Sequence, residues 1–245
     1  LTSNILNYLS SFVKKKKRVA VITGLGYSFV YDDAKYKILK LIIILFYRLA
    51  ERRLSIIAQN PDDLIDLGVK KGKVILGSGI SENNVVKNNS NKMNSLKLLF
   101  VGRLLKSKGI ERAIMVFKEI QKFNKNIKLY IAGDIDVLNP DSISAQYLSK
   151  IKTIKGVEYL SYVNNMMNIY NDCDILLFPS MYREGVPRVI IEALSFGLTI
   201  ITIDMPGCRE TINKNGILIK NNYVFEASNY IKSISKKDLI RNKRE

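Results

Sequence analysis

The sequence predicts an α/β protein built on parallel sheets, and three observations carry that prediction. From Leu96 onward short apolar runs alternate with helical patterns. The runs begin at Leu96, Ile127, Val157, Ile175, Thr199 and Gly216, and the helical patterns cover 108–123, 142–153, 166–171, 187–196 and 222–233. Such alternation makes βαβ units on a parallel sheet, with ligands at the carboxyl ends of the strands. The run DILLF at 174–178 has no polar interruption, as expected of a buried parallel strand. An Asn-rich, nearly apolar-free stretch at 81–95 reads as a linker between this array and a shorter one before it. The predicted organisation is therefore a partial N-terminal domain at 1–80, a linker at 81–95 and a C-terminal domain at 96–245.

With 47% hydrophobic and 25% charged residues, the 245-residue chain has an ordinary globular composition and ample length for a core. Its two cysteines, Cys173 and Cys208, form no CxxC, and histidine is absent. That excludes a structural zinc site and any mechanism needing an imidazole from this chain. Few cysteines and no recognisable signal peptide fit a reducing, cytoplasmic setting. The net charge is +17. Abundant Lys, Asn and Ile match what an AT-rich genome imposes on any protein, while an anionic membrane surface is the functional alternative. Residues 1–90 carry 15 basic and 7 acidic side chains, the denser share for their length. Nucleic acid is disfavoured, because aromatic residues do not interleave with the basic ones.

The first elements follow in order. An amphipathic helix over 1–12 leads through a basic run at 14–18 into a strand at 19–23, which ends in Gly24 and Gly26. Phe29 stands where a dinucleotide fingerprint needs its third glycine, so a nicotinamide site is not indicated. The two glycines would instead let the backbone approach a ligand. The pattern at 36–54 contains the unbroken LIIILFY, flanked by Lys35, Lys37, Lys40, Arg48, Arg52 and Arg53. It is shorter than the ~20 apolar residues of a membrane span. It reads first as a buried crossover helix, and alternatively as a helix whose basic rim touches lipid headgroups. A strand at 54–60, a helix at 61–67 and a strand at 73–80 complete the first array.

Chemistry concentrates in PSMYREGVPRVIIEALSFG, at 179–197. A strand feeding a helix through a loop aims backbone N–H groups and the positive end of the helix dipole at one spot, an anion site. Pro187 suits the first helical position and Gly197 the stop. Glu184 and Glu192 stand eight apart, one before the helix and one within it. Carboxylates accept from paired hydroxyls, so a sugar or ribose beside a phosphate suits both. A second basic loop, FVGRLLKSKGIERAI, follows the Leu96 run. It sets Gly102 and Arg103 at a strand end and Lys108 and Gly109 before the next helix, a fork and a point charge suited to a diphosphate. Further strand ends bring Gly133 and Asp134, residues 161–165, and the turn DMPGCRE with Arg209. The pairs Asp134/Asp136 and Asp172/Asp174 imitate a metal-holding D-x-D, but an Arg/Lys phosphate grip needs no cation.

The 179–197 segment resembles the donor-binding segment of retaining family 4 glycosyltransferases, whose pattern runs roughly P-S-x-x-E-G-x-P-x-x-x-x-E-A-[LM]. The resemblance extends over about 19–219 and includes G-R-x-x-x-x-K-G at 102–109, GSGI at 77–80 and P-G-C-x-E at 206–210. It implies a GT-B fold: a Rossmann-like parallel-sheet C-terminal domain plus the remnant of a second Rossmann-like N-terminal domain. It implies transfer, with retention, from a nucleotide-sugar donor, UDP-linked by preference, to a lipid-linked or oligosaccharide acceptor in surface polysaccharide assembly. Arg103 and Lys108 would neutralise the leaving diphosphate, Glu192 would hold ribose hydroxyls and Glu184 would orient the sugar. Gly102, Gly133, Gly185, Val186 and Pro187 would line the donor site, and Gly24, Gly26 and Arg209 the acceptor side. No cofactor and no metal are expected, and the inner face of the cytoplasmic membrane is the expected place of work. Departures are plain. About 80 residues precede the linker where roughly 150 would make a full domain. The family's N-domain His, opening strands and closing helix have no counterpart, and Leu160-Ser161 stands where the base-side loop usually carries Gly. Binding without transfer is the alternative function.

Overall fold

Six of the apolar runs become one parallel sheet, beginning at the six positions the pattern marks. The computed structural model describes residues 1–13, 17–30, 32–80, 95–235 and 239. The expected linker therefore lies outside the described residues apart from Ser95, as do the final charged residues 240–245 and part of the 14–18 basic run. The described chain divides into two compact units. The first comprises Leu1–Ser78, Tyr182–Arg188 and Met205–Thr211; the second comprises Gly79–Met181, Val189–Asp204 and Ile212–Glu245.

In the second unit, strands β4 (Leu96–Val101), β5 (Ile127–Ala132), β6 (Val157–Ser161), β7 (Ile175–Phe178), β8 (Thr199–Ile203) and β9 (Gly216–Ile219) pair in the order β6-β5-β4-β7-β8-β9. All pairings are parallel. The order reverses between β4 and β7, where a doubly wound sheet opens a crevice at its carboxyl edge. Helices α4 (Ile110–Gln121), α5 (Ala145–Lys152), α6 (Met167–Asp172) and α7 (Arg188–Ser195) make four of the crossovers, and α8 (Tyr223–Ser233) follows β9. The core gathers Leu98, Phe100, Phe117, Leu129, Ile175 and Ile201, all nearly inaccessible. β7 is buried along its whole length, as its uninterrupted apolar sequence requires. α7 begins at Arg188, so Pro187 precedes the helix rather than opening it, a one-residue difference from the expected boundary. Its end is as expected. Gly197 has φ 72°, Gly197 N donates to Leu194 O and Leu198 N donates to Ala193 O, a Schellman stop.

The first unit holds a three-stranded parallel sheet, β1 (Val19–Ile22), β2 (Ser55–Ala58) and β3 (Lys73–Val74), in sequential order. The expected strand over 73–80 stops at Val74, because Gly77 and Gly79 take φ of 70° and 69° and leave extended geometry. Helices α1 (Thr2–Ser10), α2 (Ala34–Ala50) and α3 (Pro61–Leu67) flank it. The most apolar helix is not the buried crossover first expected. α2 buries only Ile43, Tyr47 and Ala50, while Ile38, Leu41 and Leu45 are each at least 60% exposed. One stripe suffices to cover a three-stranded sheet, and the remaining apolar positions are left outside. No described helix is long and apolar enough to cross a membrane.

Candidate functional site

At the carboxyl ends of β4 and β5 stand two glycines, Gly102 in a backbone geometry that side chains rarely adopt and Gly133 where a Cβ would also collide. Gly102 N donates to Ala132 O, and a Cβ on Gly133 would come within 2.0 Å of Gly102 O. Both take positive φ, 148° and 138°. This close approach opens a cavity of about 390 Å³ lined by Gly102, Arg103, Gly133, Asp136, Tyr162 and Met166 among others. Arg103 reaches its rim half exposed and donates to the Asp136 carboxylate at 2.8 Å. The guanidinium is thus already turned to an oxygen anion, as a phosphate contact would require.

Beside it the Asp134 carboxylate accepts from the hydroxyls of Tyr159 and, at 2.9 Å, of Ser161. These two bonds, the tyrosine's first, hold its carboxyl below the ordinary carboxylate value. Burial, followed by the neighbouring Asp134, pushes the Tyr159 phenol up. Ser161 has φ 57°, the only positive φ outside glycine among the described residues. The β5–β6 register shifts at the same place, Ala132 pairing with Ser161. The resemblance puts a glycine here, and the backbone shows why one would fit. Left-handed geometry costs a serine about 1–2 kcal/mol, which the Asp134 bond helps to offset. The sequence marked this loop by its missing glycine, without showing that the serine keeps the glycine's conformation.

Lys108 lies on the connection from β4 to α4, its Nζ 6.0 Å from the centroid of Phe178 at the end of β7. The turn is seated on the start of the acidic motif. A Cβ on Gly109 would meet Pro179 O at 2.4 Å, Met181 N donates to Ser107 O, and Arg112 donates toward Pro179 O at 3.4 Å. The basic loop and the first residues of the motif, 179–181, are thus adjacent within the second unit. On α7, Glu192 is half buried and its Oε2 accepts from Tyr170 OH at 3.0 Å; that ring stacks on Phe196. Tyr170 was not singled out from sequence, where it sits as one apolar position of a short helix.

Glu184 belongs to the first unit, in the segment Tyr182–Arg188. The backbone around it is held at every peptide. Arg183 O accepts from Gly26 N, Glu184 O from Asn60 Nδ2 at 3.5 Å, Gly185 N donates to Thr23 O and Val186 N to Gln59 Oε1. The expectation of unpaired amides in this loop is therefore corrected for Gly185 and Val186, whose N–H groups are spent on the first unit's own residues. Gly24 and Gly26 make this seating possible: a Cβ on Gly24 would lie 2.7 Å from Arg183 O and from the Glu184 backbone.

Arg183, a loop residue in the sequence, is buried. Its guanidinium pairs with Asp63 at 2.9 Å and Asp66 at 2.5 Å, both from α3. Asp63 is fully buried, and burial pushes its carboxyl above the ordinary value, with Arg183 and Asn60 offsetting part of the rise. Removing one partner of such a pair leaves a buried charge uncompensated, at about 3–5 kcal/mol. Arg209 pairs with Asp62 of the same helix at 3.2 Å, half exposed. In the turn before it, Gly207 N donates to Glu210 Oε2, and a Cβ on Gly207 would collide with Gly185 O. Of the acidic pairs, Asp174 accepts from Lys97 N and Asp172 pairs with Lys97 Nζ, which ties α6 and β7 to β4. Among the described residues no group of three His, Cys, Asp or Glu is placed to hold a metal.

CapM, a capsular polysaccharide biosynthesis glycosyltransferase of Staphylococcus aureus, is 31% identical over 113 residues, 46% of this chain and 29% of that protein. A Campylobacter jejuni N,N'-diacetylbacillosaminyl-diphospho-undecaprenol alpha-1,3-N-acetylgalactosaminyltransferase is 23% identical over 98% of this chain and 67% of its own length. The chain thus spans 29% of the one relative and 67% of the other. The crystal structure of Anabaena HepE in complex with UDP and glucose superposes with a TM-score of 0.74 at 17% identity, covering 99% of this chain and 68% of that one. That likeness gives the fold, GT-B. Residues 81–245, more than half of the chain, match the family described as glycosyl transferases group 1, and the chain belongs to that family.

Proposed function

We propose that this chain is the donor-binding part of a retaining, family 4 glycosyltransferase that takes a UDP-linked sugar to a lipid-linked or oligosaccharide acceptor in surface polysaccharide assembly. The observation that carries it is the glycine-walled cavity with Arg103 at its rim, at the carboxyl ends of β4 and β5, in a member of this family. A cavity of this size suits a nucleoside, and Arg103 and Lys108 suit its diphosphate. HepE, the fold relative, was solved with UDP and with UDP-glucose. Glu192 is assigned to the ribose hydroxyls and Glu184 to the donor sugar. Stabilising the departing diphosphate by fixed positive charge is the largest contribution expected of the protein, and retention would follow from front-face attack within the ion pair. Arg209, Gly24 and Gly26 are assigned to the acceptor side.

No metal is assigned to the reaction. Isothermal calorimetry of UDP and GDP in the presence of EDTA tests that assignment. Binding of either without metal is expected; binding that appears only on adding magnesium would return the role to a D-x-D pair. The exposed apolar stripe of α2, with Lys35, Lys37 and Arg48 near it, is proposed to meet an anionic membrane at the cytoplasmic face. Sedimentation with anionic vesicles at low and high salt should show salt-sensitive binding. Binding without transfer is the second function to weigh, because the chain spans only part of its relatives; radiolabelled sugar transfer to a lipid-linked acceptor separates it from catalysis.

A further inference from the structure

α3 carries Asp62, Asp63 and Asp66 within two turns, and each pairs with an arginine from one of two loops of the same compact unit. Arg183 from 182–188 takes Asp63 and Asp66; Arg209 from 205–211 takes Asp62. We propose that Asp63 and Asp66, acting through Arg183, are positioning residues for Glu184, and that Asp62 and Arg209 hold the neighbouring turn in the same register. The proposal rests on the assignment of Glu184 to the donor sugar.

Stability alone is a poor reason for this arrangement. Burying the Arg183 guanidinium with the Asp63 carboxylate, and Asp66 in part, carries a desolvation cost that an apolar contact of the same volume avoids. Asp63 Oδ2 and Arg183 Nε are buried with no hydrogen-bond partner, so the cluster is not even fully satisfied. What a planar fork bound at two carboxylates supplies is orientation. Residue 183 is fixed by its side chain and, through its carbonyl, by Gly26; residues 184, 185 and 186 are fixed by Asn60, Thr23 and Gln59. A carboxylate that must meet sugar hydroxyls within a fraction of an ångström gains from such a support. Gly207 closes the arrangement, since its α-carbon lies against Gly185 O.

Two variants test it, Arg183→Lys, which keeps the charge but lacks the planar fork, and Asp66→Asn, which leaves the buried Asp63 pair intact. Hydrogen exchange on the ligand-free chain reads the support itself. Arg183→Lys should speed exchange of the Gly185 and Val186 amides about tenfold or more while β4 and β7 amides are unchanged. Unchanged loop amides would overturn the support. Calorimetry with UDP and UDP-glucose reads the positioning role. Both variants should keep UDP affinity within about twofold and lose about fivefold or more for UDP-glucose. Equal losses for the two ligands, or none for UDP-glucose, would overturn positioning. A wild-type chain that binds neither ligand would overturn the donor assignment and positioning with it, and exchange at 185–186 would still decide whether the support exists.

Discussion

The two sheets are written in similar apolar words and covered to different extents. β7, with the sequence ILLF, is buried at every residue; β1, with VAVI, buries Ala20 and Ile22 while Val19 and Val21 stand 48% and 49% exposed. Apolar residues on both faces of a strand therefore permit burial on both faces without securing it. What decides is how much of each face the unit's own elements cover. Five helices serve the six-stranded sheet, and the long α2 of the three-stranded sheet offers three buried side chains and leaves more apolar residues outside.

The contrast breaks most readily at the cores. Leu129→Ala in the six-stranded sheet should cost about 2–5 kcal/mol in urea unfolding, whereas Val21→Ala should stay within about 0.5 kcal/mol. Comparable losses would mean that the outer face of β1 is covered in solution. The next largest effect concerns ligand. Arg103→Ala and Lys108→Ala each remove a charge-assisted bond of about 1.5–3 kcal/mol, so UDP affinity measured by calorimetry should fall about 10- to 150-fold.

Acid should act on the two units with opposite sign. Asp134, in the second, has a lowered carboxyl pKa; its contribution is present above 3.8 and is lost as pH falls through the lowered folded value. Asp63, in the first, has a raised one. Its folded form takes a proton more readily than the unfolded chain, so the cost of its buried charge is relieved as pH falls from the raised value toward 3.8. In denaturant titrations across this range, Asp134→Asn should flatten an acid loss and Asp63→Asn should remove an acid gain. A smaller effect sharpens the loop beside Asp134. Ser161→Ala keeps the left-handed strain and loses the hydroxyl, at about 1 kcal/mol, while Ser161→Gly exchanges that bond for relief and should be nearly neutral.

Periodicity located the strands because a parallel strand and its crossover helix differ in length and in pattern, and six strand starts follow from that pattern alone. The seating of the Glu184 loop did not follow. Arg183 reads as a loop cation, and PDDLIDL as a capped helix with acids in its first turn, until the fold brings residues about 120 positions apart into one ion cluster. Pairings at that separation leave no mark on a local pattern. The exposure of α2 escaped for the same reason, since an apolar helix carries no record of how much sheet it has to cover. The position of Gly102, Arg103 and Gly133 at strand ends, by contrast, was legible, because strand ends and φ-demanding glycines are local features.

The central claim is that the nucleotide is held by the second unit at the ends of β4, β5 and β6. Hydrogen exchange of the whole chain with and without saturating UDP, in EDTA, addresses it directly. Protection should rise at 101–103, 132–136 and 161–166, and Arg103→Ala should abolish the rise at subsaturating UDP. Protection confined to 19–30 and 55–60, or none at a concentration where calorimetry reports binding, would contradict it.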